Sequence, residues 1–313
     1  MRQLAEFESE SQARRLSEAL TGSKMPASVT RTRSGRFALW VHDDAHLDDA
    51  RAFIDSFRAN PDHPRYAELA KRASEDAKRA AREDKRLQRR TERIRSRMQR
   101  QTGRIGSVTL ALIVLCTGIF ILMQIHPSII YMLTFAGFKP VGNGQLIYTG
   151  LEPILHGQIW RLVTPALMHG GMGHSGQALV FGLVHLGFNM WWLKDLGTII
   201  EHLHHSWYFL VMVLVIAVVS HVLQFVMAPT SLFLGMSGVV YGLFAFLWVR
   251  GRFDPAYPFR FRPEIVVLML AWLAIGFFGT MHIANWVHLG GLVTGAVWGL
   301  ATSGWFGRKL RAL

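Results

Sequence analysis

The chain has 313 residues, half of them hydrophobic, yet its formal net charge is +13. That pairing is unusual for a soluble globular protein and suggests a membrane protein with basic segments outside the bilayer. A single cysteine, Cys116, leaves no disulfide framework and reads as inert packing, while the N-terminal MRQLAEFESESQARRL is charged from its start, unlike a cleaved signal or transit peptide.

Residues 1–67 have spaced apolar positions interleaved with charge, so they read as a small soluble α/β domain. RQLAEF suggests a strand, SESQARRLSEAL a helix, and SVTRTRSGRFALWV a hairpin turning at Ser-Gly. DDARAFIDSFRANP places Ala50, Phe53, Ile54 and Phe57 on one helical face ahead of Pro61. Residues 68–104 form a basic charged linker, with fourteen Lys or Arg against five acids from 71 to 104. It has no interleaved aromatics and abuts an apolar stretch, so anionic lipid is the expected neighbour and nucleic acid is not.

Windows free of Lys, Arg, Asp and Glu run over 105–138, 162–193, 202–249 and 265–307. A hydrocarbon core of about 30 Å needs about 20 helical residues, and six spans are expected at 105–125, 178–203, 206–228, 235–250, 264–279 and 285–306. The basic linker fixes a cytoplasmic N-terminus. Arg250, Arg252, Arg260 and Arg262 after the fourth span, and Arg308, Lys309 and Arg311 at the end, agree with that parity. Residues 126–177 are then external, and their apolar character suggests a loop lying partly in the interface.

Topology gives the polar residues a common depth. Ser237, His288, His185 and Asn189 all fall in the outer half of the membrane, where each alone could merely bond a neighbouring helix. In GMSGVVYG, Ser237 and Tyr241 share a face at i, i+4. In VHLGGLVTGAVWG, His288, Gly291, Gly295 and Gly299 begin a groove of small residues that fits Gly238 and Gly242, and packing there brings His288 against Ser237 and Tyr241. A serine beside such a base can act as a nucleophile. The acids between 105 and 249 are only Glu152, Asp195 and Glu201, none at the depth of His288, so a Ser/His dyad is expected rather than a triad. Backbone N–H groups at the start of the fourth helix, with His185 and Asn189, could hold an oxyanion.

The motifs IWRLVTPALMHGG, HLGFN, GMSGVVYG and VHLGGLVTG, in this order, resemble those of the rhomboid intramembrane serine proteases. With ANPDHPRY and FLWVRGRFDP the chain is most similar to the bacterial GlpG type of that family. The resemblance implies an all-α membrane fold, a six-transmembrane-helix rhomboid bundle over 105–313 preceded by the small α/β domain. It implies hydrolysis of transmembrane substrates near the outer face of a bacterial inner membrane, with both termini cytoplasmic. Carried over, Ser237 is the nucleophile, His288 the base, His185 and Asn189 the oxyanion donors, and Tyr241 the ring under His288, with Gly235 and Gly238 in support. Trp160 and Arg161 would belong to a loop in the outer leaflet, and GTMHIAN to a cap over the site. The partners are single-span or multi-span membrane proteins and the lipid bilayer; no cofactor and no metal are expected, and no HExxH occurs. His202, His204 and His205 in EHLHH read as an interfacial loop. One departure stands out: GGMGHSGQALVFGLV separates His169 from His185 where the family has only a few residues, which makes His174 a rival for His185. The alternative function is a catalytically inactive rhomboid-like protein that binds transmembrane clients. A transporter is disfavoured, because paired inverted halves are not evident.

Overall fold

The computed structural model describes residues 1–101, 103–141, 145–170, 176–229, 232–278 and 284–310, in two units that meet at Arg89 and Arg90. His174 and residues 279–283 of the expected cap lie outside the described residues.

The first unit runs β1 (Arg2–Phe7), α1 (Glu10–Gly22), β2 (Ala27–Arg31), β3 (Phe37–Val41), α2 (Leu47–Ala59) and the start of a long helix α3 (Pro64–Gln101). The three strands form an antiparallel sheet in the order β1-β3-β2. Ser9 caps α1 by accepting from the Gln12 N–H. Ala50, Phe53, Ile54 and Phe57 are buried on one face of α2, against Leu16, Leu20 and Leu39. Each large side chain removed from water there contributes about 1.5–3 kcal/mol. Pro64 opens α3, where its missing N–H costs nothing, and Tyr66 meets Phe53 and Phe57 edge-on at 5.5 and 5.0 Å. The segment expected as a linker from residue 68 is helical, and its first turn is tied into the module by Tyr66.

The second unit is helical. It contains α4 (Ser107–Ile125), α5 (Ile130–Leu133), a hairpin of β4 (Gly137–Val141) and β5 (Gln145–Gly150), α6 (Glu152–Leu155), α7 (Gly176–Trp192), α8 (Thr198–His204), α9 (Ser206–Met227), α10 (Ser237–Phe253), α11 (Pro263–Phe278), α12 (Asn285–Thr302) and α13 (Trp305–Leu310). A π turn over Leu193–Gly197 joins α7 to α8. By length and composition α4 and α9 can cross a membrane, and α11 is a shorter apolar helix. The outside is apolar: Val114 and Ile121 on α4, Val180 and Val184 on α7, Val267 and Trp272 on α11, and Val297 on α12 are exposed. Hydrocarbon is the solvent that suits such a surface.

The interior is built around α10, which is buried continuously from Gly238 to Leu247. Small residues set its distance from α12. A Cβ on Gly291 would land on the Gly238 carbonyl oxygen, and one on Gly295 on the Gly242 carbonyl oxygen. No other residue type fits at either place, so the two backbones touch.

Glu201, marked in the sequence only as an acid away from the depth of His288, is buried and joins three elements. Its carboxylate accepts from the Ser107 and Ser206 hydroxyls at 3.0 and 2.7 Å, and from the Val108 N–H, Thr109 N–H and Thr109 Oγ1 at 2.9 Å each. It satisfies the free donors at the start of α4 and complements that end of the helix dipole.

Candidate active site

Ser237 is the first residue of α10, with Met236 as its N-cap. His288 lies in the first turn of α12. The glycine contacts hold these two helix starts together, and the Ser237 Oγ stands 2.7 Å from the His288 Nε2. That distance permits proton transfer from hydroxyl to imidazole. His288 is buried, and its other neighbour is the Tyr241 ring, 5.0 Å away between centroids and tilted by 36°. Tyr241 is fixed in turn by donating its hydroxyl to the Met269 carbonyl at 3.1 Å. The histidine is thus trapped between a hydroxyl and an anchored aromatic face.

The turn before Ser237 is held from the other side. Gly235 adopts φ +122°, a conformation open to glycine, and donates its N–H to the Pro165 carbonyl at 2.9 Å. A Cβ there would also strike the His185 ring, 2.6 Å from Cε1 and 2.9 Å from Nε2. His185 therefore packs directly on the peptide two residues before the serine. Its Nδ1 is buried without a hydrogen-bond partner among the described residues. Asn189, one turn on, is buried and donates from Nδ2 to the His185 carbonyl at 2.9 Å. Its amide therefore commits one N–H to its own helix.

His169 was only a landmark in the sequence, but its Nε2 accepts the Met236 N–H at 3.2 Å and its ring lies 5.3 Å from that of His185. With the N–H groups of Gly235 and Met236 engaged, the free donors at the start of α10 begin at Ser237 itself. The Pro165 carbonyl belongs to the loop that holds Trp160 and Arg161. Arg161 is buried and donates to Gln158 Oε1 and the Thr134 carbonyl, both at 2.7 Å; Trp160 is half-exposed and donates to the Met132 carbonyl at 3.1 Å. On α9, His221 ties the same loop down through a 2.8 Å bond between its Nδ1 and the Leu162 carbonyl. A histidine in an apolar helix was visible in the sequence, but its partner 59 residues away was not.

The three acids between 105 and 249 are engaged elsewhere: Glu152 with Lys139, Asp195 with Lys194 and Trp191, and Glu201 at the start of α4. His204, from the EHLHH stretch, bonds the Tyr257 hydroxyl at 3.1 Å.

Comparison with known proteins decides the family. Residues 156–305 match the rhomboid domain, and residues 1–82 match the cytoplasmic N-terminal domain of rhomboid serine proteases. The chain is 30% identical over 261 residues to the rhomboid protease GlpG of Pectobacterium atrosepticum, covering 82% of this chain and 81% of that protein. The chain belongs to the rhomboid family. It is a rhomboid serine protease, an enzyme of membranes, and its small strand-containing N-terminal domain is of the family's cytoplasmic type. The rhomboid domain match includes α7 to α12 and so contains every residue placed around Ser237.

Proposed function

We propose that this rhomboid cuts transmembrane substrates near the outer membrane face with a Ser237/His288 dyad. The reading is carried by the 2.7 Å contact between Ser237 Oγ and His288 Nε2. Ser237 attacks the scissile carbonyl while His288 takes its proton; His288 later returns that proton to the leaving amine, and water then hydrolyses the acyl-enzyme by the same route. The Ser237 N–H, the His185 ring and the second Asn189 N–H hold the oxyanion of each tetrahedral intermediate. Tyr241 supports the imidazole, while Gly235 and Gly238 allow the close approaches that hold the serine.

On this reading α4, α7 with α8, α9, α10, α11 and α12 serve as six spans of a bacterial inner membrane, with the serine toward its outer face. The N-terminal domain, the linker from residue 68 and the C-terminus are then cytoplasmic, in accord with the basic flanks. The catalytic unit begins near residue 105, and its partners are single-span or multi-span membrane proteins.

Cleavage of a single-span reporter by purified protein tests this reading. Ser237→Ala and His288→Ala should each remain folded and lose cleavage, and the serine should react with a fluorophosphonate in wild type only. A folded Ser237→Ala or His288→Ala protein that cuts as fast as wild type rejects the dyad.

A further inference from the structure

The functional reading leaves α3 unused. From Lys71 to Arg89 this helix carries eight basic residues, all exposed: Lys71, Arg72, Lys78, Arg79, Arg82, Lys85, Arg86 and Arg89. At about 100° per residue they occupy one arc of about 140°, and Lys71, Lys78, Arg82 and Arg89 lie within about 40° of a single line. The acids of this stretch do not cancel the arc. Only Glu75 falls inside it, Asp76 and Glu83 sit at its edge, and Asp84 is on the far side. Apart from Gln88 the far side is otherwise apolar, with Ala73, Ala77, Ala80 and Leu87.

We propose that this stripe is a docking surface for the anionic headgroups of the bilayer in which the protease sits. Charge complementarity selects the partner, since a row of cations spaced along one face of a helix matches a plane of phosphates. Continuity of the chain supplies the membrane: residues 102–106 alone separate α3 from the apolar α4. The family's cytoplasmic assignment of residues 1–82 puts the start of the stripe on the side where anionic lipid attracts basic segments. The contact is electrostatic, because the apolar face opposes the basic one and alanines have little surface to insert. A second copy paired through the far face would bury Asp84 in the middle of its seam, which disfavours that occupant. Nucleic acid lacks support, since no aromatic residue lies among the basic ones to stack on a base.

The test uses the full chain in nanodiscs and follows amide hydrogen exchange over residues 71–89. Exchange should slow at least about tenfold when about 30% of a phosphatidylcholine disc is replaced by phosphatidylglycerol, and the protection should vanish in about 1 M salt, where the Debye length is about 3 Å. Replacing Lys78, Arg82, Lys85 and Arg89 together by Glu should abolish the lipid dependence. The same four positions as Gln, which keep helix propensity, should weaken it strongly. Reporter cleavage in detergent should be unchanged in both variants, which separates failure here from failure of the active-site reading. Equal exchange in the two lipids, or lipid dependence retained by the Gln variant, overturns the proposal. Protection that instead follows two copies per disc, or added RNA, overturns it in favour of a protein or nucleic-acid partner.

Discussion

At the scale of single residues, the site depends on contacts that tolerate almost no displacement. His185 touches the Gly235 peptide and its Nδ1 has no partner among the described residues, whereas Asn189 spends one N–H on its own helix. Loss of one oxyanion donor typically costs about 100 to 1,000-fold in turnover, so His185→Ala should fall in that range with substrate affinity little changed. Asn189→Ala should lose less, because only its second N–H is free for the oxyanion. Kinetics of the two variants on the reporter check the order, and a larger loss for Asn189→Ala would reverse the assignment. His174→Ala should stay near wild type, since Ala178 stands where a partner donor would be needed. The pairing of Ser237 with His288 was readable in advance because glycine spacing, helix phase and depth all pointed to it. The contact of Met236 with His169 was not, since nothing local marks a backbone donor for a ring 67 residues away.

At the scale of elements, two joints carry the unit. The first is the α10–α12 seam, where Gly295→Val would drive methyl groups into the Gly242 carbonyl and force the helices apart. Overpacking of this kind costs about 1–3 kcal/mol, and it also opens the 2.7 Å contact between Ser237 and His288. Cleavage should be lost along with thermal stability in detergent. Gly118→Ala on α4 is the control: its new Cβ meets open space, so the helix should gain about 0.8–1 kcal/mol and activity should be unchanged. The second joint is Glu201. Glu201→Gln should destabilise the unit by about 2 kcal/mol or more, read as a lower unfolding midpoint, because hydrogen bonds to a charged acceptor are worth about 1.5–3 kcal/mol each. The amphipathic elements of the N-terminal domain could be read from the sequence, since water on one side and core on the other enforce a period. The hairpin of β4 and β5 was not legible because its strands, GFKPV and QLIYTG, do not alternate apolar with polar residues. The π turn before Thr198 likewise adds a residue to a helical turn without any change in composition.

At the scale of the whole molecule, the division at Arg89 and Arg90 separates a module with its own core from the unit that holds every candidate catalytic residue. A chain truncated to begin near Arg95 should therefore insert, fold and cut the reporter; insertion with folding but without cleavage would make the module part of the enzyme. The substrate is constrained as well. A helix hides its carbonyls in its own hydrogen bonds, so on the proposed mechanism a transmembrane segment must unwind before Ser237 reaches one. Placing Leu at helix-weakening positions near the cut should slow cleavage, and faster cleavage would reject local unwinding.

The seam between α10 and α12 also bears on how the protein is made. Ser237 and His288 are 51 residues apart in the chain, and α12 follows both α10 and α11. During synthesis the serine is therefore translated before the imidazole of the proposed dyad. On that proposal a nascent chain carries an unarmed hydroxyl, and only arrival of α12 against the Gly238 and Gly242 carbonyls arms it. The spans that precede α12 would then be complete before the serine had a base beside it.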